Sequence, residues 1–248
     1  MPQKNILFHY TYANLTERFY QSLKNTNFRH VHLLKWNTPL AQDLGLTELN
    51  LTEAEKAEYF SASKLMPHAK PLAQAYSGHQ FGNFNPHLGD GRALLLGELR
   101  DSKNNLRDIH LKGSGPTQFS RRGDGYAQIS AVIREYLLSE SMFYLNIPTT
   151  RTLAIMTTGE WVEREFSQPG ALQVRVASSH IRIGTFEHFV ARQDFEAVNI
   201  LANFVIDRHH NDLPKTAVGY LELFKRIMKM QIDLISKWLS VGFIHGVM

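Results

Sequence analysis

The sequence predicts an α+β fold, because its candidate strands are grouped together and its longest candidate helices close the chain. A strand–turn–strand pattern in the middle of the chain is followed by one amphipathic helix and then by further strands. Two long helical patterns complete the order. Strands and helices that alternated throughout would instead indicate a doubly wound sheet, so the grouping favours α+β.

Composition narrows the class of protein. The chain has 248 residues, of which 43% are hydrophobic and 20% are charged, and these values are ordinary for one large or two small globular domains. No apolar run reaches the roughly 18–20 residues that a bilayer-spanning helix needs, and the first residues lack the apolar core of a secretory signal. Cysteine is absent, so neither a disulfide framework nor a thiolate site is available. We therefore expect a cytoplasmic (bacterial) protein with no membrane partner.

Residues 1–70 are predicted to form a helical extension with loops. Thr52 and Glu55 have the spacing of a capping box, in which the threonine hydroxyl accepts from a free N–H and the glutamate reaches back. A loop rich in Gly, Asn, Pro and His is expected at Ser77–Gly91.

The middle of the chain predicts a β-hairpin. Its two strand patterns, Arg92–Arg100 and Asp108–Lys112, flank the polar cluster Asp101–Asn105, which is typical of a turn. A second Gly-rich connection, Gly113–Gly125, follows.

A helix is predicted from Ile129, with Pro148 beyond its end. The apolar residues on one stripe of this helix are Ile129, Val132, Ile133, Tyr136, Leu137, Phe143 and Tyr144. Strand patterns then return at Thr152–Glu163, which Thr158-Gly159 is expected to split, and at Leu172–Phe186.

Two helices are predicted to close the chain, at about Asp194–His209 and about Ala217–Val241, with Gly242 suited to the C-terminal cap of the second. Their aromatic residues are expected to belong to the core; these are Phe204, Phe224 and Trp238. The apolar run Gly242–Met248 at the very end hints that the chain is truncated.

One constellation of residues could carry chemistry. The Gly-containing segment Gly89–Arg92 enters a strand, the next strand ends in Lys112, and the helix after it carries Glu135. Protein kinases use the same order of glycine loop, strand lysine and helix glutamate. Glycines let backbone N–H groups approach phosphate oxygens, and the glutamate holds the lysine in place. The kinase glycine-loop spelling is absent, so spacing alone leaves open two Gly-rich turns and a solvent-facing ion pair.

Four longer strings resemble the SelO family of protein adenylyltransferases, and the resemblance runs from about Pro39 to the last residue. The strings are Ala75–Phe84, Leu88–Ala93, His110–Gly125 and His245–Met248. The resemblance implies a protein-kinase-like fold, with a nucleotide-binding lobe at 71–190 and the start of a helical large lobe at 191–248, truncated before the catalytic loop. It also implies a flipped nucleotide, so that AMP rather than phosphate is transferred to Ser, Thr or Tyr hydroxyls of proteins.

The resemblance further implies roles for individual residues. Lys112 would bind phosphate and Glu135 would pair with it, while Asp124 and Gly125 would lie in a flexible loop over the nucleotide. The other implied nucleotide contacts are Gly89, Gly91, Arg92, Arg175 and Arg182, the last two on the later strand pair.

The resemblance places the catalytic Asp base and the metal-binding Asn and Asp beyond Met248, so no metal ligand and no catalytic base are expected in this chain. ATP is the implied substrate, and Mg²⁺ or Mn²⁺ is the implied metal of the complete enzyme. The expected partners are protein substrates with acceptor hydroxyls and the missing C-terminal half. The alternatives are a truncated ATP-binding module without turnover and a nucleic-acid binder, although the net charge is only +4 and no continuous basic run is present.

Other motifs carry weaker signals. The pairs His209-His210 and His30-x-His32 lack acidic partners at ligand spacing, which disfavours a metal site. Arg121-Arg122 is flanked by glycine on one side, which favours a phosphate contact over a solvated pair.

Overall fold

A computed structural model describes residues 6–28, 30–66 and 68–246. These residues form two compact units. The first takes in the residues up to Ala75 together with 87–145 and 149–181, and the second takes in 76–86, 146–148 and the residues from Arg182 onward. The residues for which an N-terminal helical extension is predicted belong to the first unit.

In the described part of the chain, the first unit contains an antiparallel sheet of eight strands with three α-helices. The strands are β1 (Tyr20–Ser22), β2 (His32–Trp36), β3 (Leu72–Gln74), β6 (Ala93–Arg100), β7 (Leu106–Lys112), β8 (Ala127–Gln128), β9 (Arg151–Val162) and β10 (Gln168–Ala177), and the helices are α1 (Thr38–Asp43), α2 (Glu53–Phe60) and α3 (Ile129–Tyr144). The second unit contains the short hairpin β4 (Gly78–Gln80) and β5 (Asn83–Asn85) and the helices α4 (Ile183–Val190), α5 (Phe195–His209) and α6 (Ala217–Ser240).

The strand order in the large sheet is β1-β3-β6-β7-β10-β9-β2, and β8 pairs with β10. Every pairing among the described strands is antiparallel. The predicted α+β class is therefore confirmed at the level of a mixed fold with an antiparallel sheet.

The predicted central hairpin is confirmed as β6 and β7, joined through the turn at Asp101–Asn105. The Asp101 carboxylate closes that turn, because it accepts hydrogen bonds from the backbone N–H groups of Lys103 and Asn105 at 3.0 and 2.8 Å. It also pairs with the Arg107 guanidinium at 2.8 Å. A short polar side chain that bonds its own backbone is the usual reason for Asp in a turn.

Alternation along β7 separates an apolar face from a polar one. Ile109 and Leu111 are fully buried in the main core, with residues from α1, α2, β6, β9 and β10. Asp108, His110 and Lys112 occupy the opposite face of β7 and are also buried. A buried polar row on a central strand requires partners, and these form the candidate site described below.

The N-terminal region is less helical than predicted. Its capping box is confirmed, since Glu55 N–H donates to Thr52 Oγ1 and Thr52 N–H donates to the Glu55 carboxylate. However, the same region supplies β1 and β2 to the large sheet. These strands are three and five residues long, and such short segments show little periodicity before a neighbouring strand pairs with them.

The later strand boundaries also differ from the prediction. β9 is one strand from Arg151 to Val162, but its pairing with β10 shifts register between Thr157 and Trp161, where Gly159 has a φ of 74°. The strand predicted at Leu172–Phe186 ends at Ala177, and α4 begins at Ile183. A short apolar run fits a strand or a buried helix equally well, so its pattern alone was ambiguous. The predicted loop at Ser77–Gly91 contains the hairpin of β4 and β5.

Helices α5 and α6 begin and end within one residue of their predicted bounds. The Asp194 carboxylate caps α5 by accepting from Ala197 N–H at 3.0 Å, and Gly242 follows α6 with a φ of 70°. The core assignment of Phe224 was wrong, because its side chain is 64% exposed, whereas Phe204 and Trp238 are partly buried. Among the described residues, no helix combines the length and apolar character that crossing a membrane requires.

Candidate functional site

The glycine loop, residues Gly89–Arg92, leads directly into β6 and is tied down mainly through Asp90. The Asp90 backbone N–H donates to the Gln74 carbonyl at 2.9 Å. Its carboxylate accepts from Gln74 N–H at 3.0 Å and contacts His110 Nε2 at 3.2 Å. The Asp90 carbonyl accepts from the Thr117 hydroxyl at 2.8 Å. The loop is therefore fixed to β3, β7 and the segment after β7.

The two glycines of this loop allow a close approach to Phe119. Gly89 has a φ of 56°, and a Cβ at this position would collide with the Phe119 ring. At Gly91 a Cβ would lie 2.7 Å from the Phe119 carbonyl oxygen. Packing between two loops of the protein is thus sufficient to require glycine here.

Lys112, Glu135 and Arg175 form a linked group at the end of β7. The Lys112 ammonium contacts the Glu135 carboxylate, and the Arg175 guanidinium donates to the other oxygen of the same carboxylate at 3.0 Å. Arg175 lies on β10 directly opposite His110, and Gln173 lies opposite Lys112. The predicted lysine–glutamate pair is formed, and Arg175 shares its carboxylate.

Positive charge exceeds negative charge in this group. The Lys112 side chain is only 8% exposed, and its environment includes the guanidiniums of Arg175 and Arg92. Burial, together with these two positive charges, lowers the pKa of Lys112 to about 6. Glu135 acts in the opposite direction, because its carboxylate favours the charged ammonium. Lys112 and Arg175 thus share the Glu135 carboxylate, and Arg92 adds a further positive charge beside the lysine.

The helix that carries Glu135 is anchored by Glu140. The Glu140 carboxylate accepts from Arg151 Nε and Nη2 at 2.8 and 2.6 Å, from Asn37 Nδ2 at 2.8 Å and from Thr152 N–H at 3.2 Å. Burial opposes the ionisation of Glu140, but these hydrogen bonds outweigh it and lower its pKa. The anchor therefore fixes α3 against β9 and the start of α1.

The buried face of α3 differs from the predicted stripe. Val132 and Glu140 are buried, and Ile129 and Tyr136 pack against a small core cluster. Four members of the predicted stripe have exposed side chains; these are Ile133, Leu137, Phe143 and Tyr144. The helix turns partly polar residues toward the sheet because the sheet presents Arg151, Thr152 and Arg175 there.

Asp124 and Gly125 lie on the connection between β7 and β8. The Asp124 carboxylate binds the Arg164 guanidinium through both oxygens, at 2.7 and 2.8 Å. The hydrogen bonds from Arg164 lower the pKa of Asp124 despite partial burial. The Gly125 carbonyl accepts from Gly115 N–H at 3.1 Å. This loop is therefore held by protein contacts, and Arg121-Arg122 lies exposed within it.

Arg182 does not lie on a strand as predicted. It precedes α4 in the second unit, where its backbone N–H donates to the Thr185 hydroxyl at 3.1 Å. Its guanidinium lies over the Tyr76 ring, 4.3 Å from the ring centroid. The other predicted nucleotide contacts all belong to the first unit.

The described residues contain no cluster of three or more donor side chains for a resident metal ion. Across residues 6–28, 30–66 and 68–246, no three His, Asp or Glu side chains converge on a common point. We therefore derive no step through Mg²⁺ or Mn²⁺.

Comparison with known proteins identifies the family to which the chain belongs. The family model described as "Protein adenylyltransferase SelO" matches residues 2–248. The chain belongs to the SelO family. A relative in Rhizobium etli, named "Protein nucleotidyltransferase YdiU", is 51% identical over 247 residues, which is 100% of this chain and 49% of the relative. Relatives of the same name in Bradyrhizobium sp. strain BTAi1 and Maridesulfovibrio salexigens are 52% and 50% identical over 241 residues, 97% of this chain and 49% of each relative.

The chain thus spans about half the length of the SelO-family relatives that it matches. Membership of a nucleotidyltransferase family gives the glycine loop and the Lys112 group a chemical context. Sequence reasoning found these two features but missed Asp90 and His110, which hold the glycine loop, and Arg164, which binds Asp124. The alternation of Asp108, His110 and Lys112 on one strand face was the available signal for His110.

Proposed function

We propose that this chain forms the ATP-binding half of an enzyme that transfers AMP from ATP to Ser, Thr or Tyr hydroxyls of proteins. Membership of the SelO family and relatives named as protein nucleotidyltransferases support nucleotidyl transfer. The observation that carries the proposal is the excess of positive charge around Lys112.

The Lys112 group suits a polyanion. Burial and the charges of Arg175 and Arg92 lower the pKa of the Lys112 ammonium, so added negative charge stabilises its protonated form. A triphosphate supplies such charge and accepts hydrogen bonds from lysine and arginine. The glycine loop lies at the start of β6, where Ala93 pairs with Lys112 in the sheet. Its exposed Arg92 side chain is available to the same phosphates.

In the proposed reaction, the oxygen of the acceptor hydroxyl forms a bond to the α-phosphorus of ATP. The bond from that phosphorus to the bridging oxygen of the β-phosphate breaks, and pyrophosphate leaves. Lys112, Arg175 and Arg92 would offset the negative charge that grows on the leaving pyrophosphate. The hydroxyl proton would pass to a general base in the remaining half of the family protein, and none of Lys112, Arg175 and Arg92 takes that role.

A second candidate function is ATP binding without turnover. It is favoured by one observation, the lack of converging carboxylates in the described part of the chain. Both candidates share the nucleotide site, so measurement of ATP binding tests what they have in common and measurement of AMP transfer separates them.

Titration calorimetry with ATP tests the proposed site. A lost hydrogen bond to a charged group costs about 1.5–3 kcal/mol, so Lys112→Ala should weaken ATP binding by about one to two orders of magnitude. Lys103→Ala is the matched control, because Lys103 is an exposed lysine in the turn at the opposite end of the same hairpin. It should leave the affinity unchanged. Equal ATP affinity in wild type and Lys112→Ala would remove the site.

Glu135→Gln should weaken ATP binding less than Lys112→Ala does, since it frees the lysine without deleting it. A nucleic-acid binder would instead bind DNA or RNA with strong salt dependence and show no thermal stabilisation by ATP. That pair of results would replace the proposal with the rival class.

A further inference from the structure

A row of four buried polar side chains connects the glycine loop to β7. Its members are Asp90, His110, His180 and Asp108, and each is at least nine-tenths buried. His110 Nε2 lies 3.2 Å from the Asp90 carboxylate. The His110 and His180 rings are stacked, with centroids 4.1 Å apart and an angle of 13° between their planes.

At the other end of this row, His180 is bound to Asp108 on β7. The Asp108 carboxylate accepts from the His180 backbone N–H at 2.7 Å, and its oxygen lies 3.4 Å from His180 Nδ1. Because Asp108 and His110 are two residues apart on β7, they share one strand face with Lys112. The His180 ring, whose backbone is bound by Asp108, thus packs on the same His110 ring that contacts Asp90.

We propose that Asp90 and His110 are positioning residues that set the distance between the glycine loop and Lys112, with His180 and Asp108 as their support. His110 precedes Lys112 by two residues, so its side chain and the ammonium stem emerge about 6–7 Å apart along β7. The Asp90 carboxylate accepts a hydrogen bond from Gln74 N–H on β3 and contacts His110 Nε2 on β7. Loss of the contact to His110 leaves the loop held to β3 but free to shift relative to Lys112.

This inference deepens the proposed function and rests on it for its consequence, which is the geometry of triphosphate binding. The contact between Asp90 and His110 itself is present without ATP. A loop that Asp90 and His110 hold in place exchanges its backbone amide protons slowly even without a ligand.

Hydrogen exchange of the ligand-free chain is therefore the first measurement. Asp90→Ala should speed amide exchange in the segment 88–93 by about tenfold, the factor that one lost hydrogen bond of about 1.4 kcal/mol gives. His110→Leu should do the same. His110→Gln should stay close to wild type, because a glutamine amide offers an N–H donor in place of Nε2.

The control is Asp101→Ala. Asp101 is a buried aspartate that holds the other end of the β6–β7 hairpin through comparable hydrogen bonds. Asp101→Ala should speed amide exchange in its own turn and leave the exchange rates of the glycine loop unchanged. The comparison therefore separates a local effect on the loop from a general loss of stability. If His110→Leu fails to fold, Asp90→Ala and His110→Gln decide the question, since position 90 lies in a loop.

ATP affinity is the second measurement. Asp90→Ala should raise the ATP dissociation constant about tenfold, while His110→Gln and Asp101→Ala leave it near the wild-type value. The inference would be overturned if Asp90→Ala left the amide exchange rates of residues 88–93 unchanged. It would also be overturned if His110→Gln and a folded His110→Leu had the same exchange rates in that segment. A wild-type chain that binds no ATP would instead overturn the proposed function, and the exchange data would still decide the positioning role.

Discussion

At the end of β7 the ammonium of Lys112 lies among two guanidiniums and one carboxylate, with little access to water. Burial and the neighbouring Arg175 and Arg92 lower the pKa of Lys112, whereas the Glu135 carboxylate favours its protonated form. A bound triphosphate would add several negative charges and restore the proton. Ligand binding and protonation of one lysine are thus coupled.

The first prediction is that ATP binding takes up a proton at about pH 8. With a pKa of about 6 in the free protein, Lys112 is mostly neutral there, and the triphosphate raises its pKa. A terminal phosphate with a second pKa of about 6 is already ionised at about pH 8 and adds little of its own. Titration calorimetry in buffers of different ionisation enthalpy measures the proton count.

Lys112→Met is the control for this prediction, because it replaces the unbranched lysine stem with an unbranched side chain one atom shorter that cannot titrate. It should bind ATP weakly and without proton uptake. Binding by the wild type without proton uptake would show that Glu135 alone keeps Lys112 charged.

Among the elements, α3 is the one whose placement decides the site, because it brings Glu135 to Lys112 and Arg175. Glu140 anchors the helix through Arg151, Thr152 and Asn37. The Arg151 guanidinium also lies 3.3 Å from the Phe143 ring centroid, which adds a contact from the last turn of the same helix. A helix held at this point presents Glu135 in one position.

The second prediction concerns this anchor. Glu140→Gln should lower the free energy of unfolding by about 2 kcal/mol, because it leaves the largely buried Arg151 without its charged partner. Urea unfolding measures this change. Asp207→Asn is the control, since Asp207 belongs to an exposed ion pair with Lys215 and should alter stability little. A Glu140→Gln variant as stable as wild type would contradict the anchoring role.

The pH dependence of stability checks the same residue. Because the folded pKa of Glu140 is lowered, its contribution is present above the unfolded value of about 4.3 and is lost as the pH falls through the folded pKa. The stability difference between wild type and Glu140→Gln should therefore shrink as the solution is acidified.

On the scale of the whole molecule, α6 exposes a broad apolar face. Val218, Leu221, Phe224 and Leu239 are each more than half exposed, whereas Leu223 is buried. Large exposed apolar surfaces mark interaction sites or promote association. Because the chain spans about half the length of its relatives, we propose that the remaining half of the family protein covers this face.

The third prediction is that the 248-residue chain alone associates in solution and binds a hydrophobic dye. Replacing Leu221 and Phe224 together by Gln should reduce both signals without lowering the melting temperature, because these side chains are exposed. Leu223→Gln is the matched comparison and should destabilise the protein, since it buries an unpaired amide. A monodisperse wild-type monomer that binds no dye would count against the prediction. Light scattering and dye fluorescence provide the measurements.

The fourth prediction is that this chain alone transfers no AMP to proteins, because its described residues offer no converging metal ligands. The chain would be incubated with labelled ATP, Mg²⁺ or Mn²⁺ and a cell extract. Addition of the second half of a family member should restore labelling if the two parts dock. Labelling by the chain alone, including self-modification, would refute the prediction.

The sequence by itself determined the features that depend on neighbouring residues. The central hairpin, the capping box at Thr52, α3, α5 and α6 follow from local periodicity and caps, and each lies within a few residues of its predicted bounds. The order of glycine loop, Lys112 and Glu135 matches the order that protein kinases use and so predicted the ion pair, which the structure forms.

The tertiary structure decided what depends on distant partners. β1 and β2 form because strands remote in sequence pair with them, and the segment from Ile183 to Val190 is a helix although its apolar pattern also fits a strand. The contact of Asp90 with His110, the sharing of Glu135 by Arg175 and the exposure of Phe224 join or separate residues far apart along the chain. Periodicity specifies which face of an element is apolar, but only packing decides whether that face is covered.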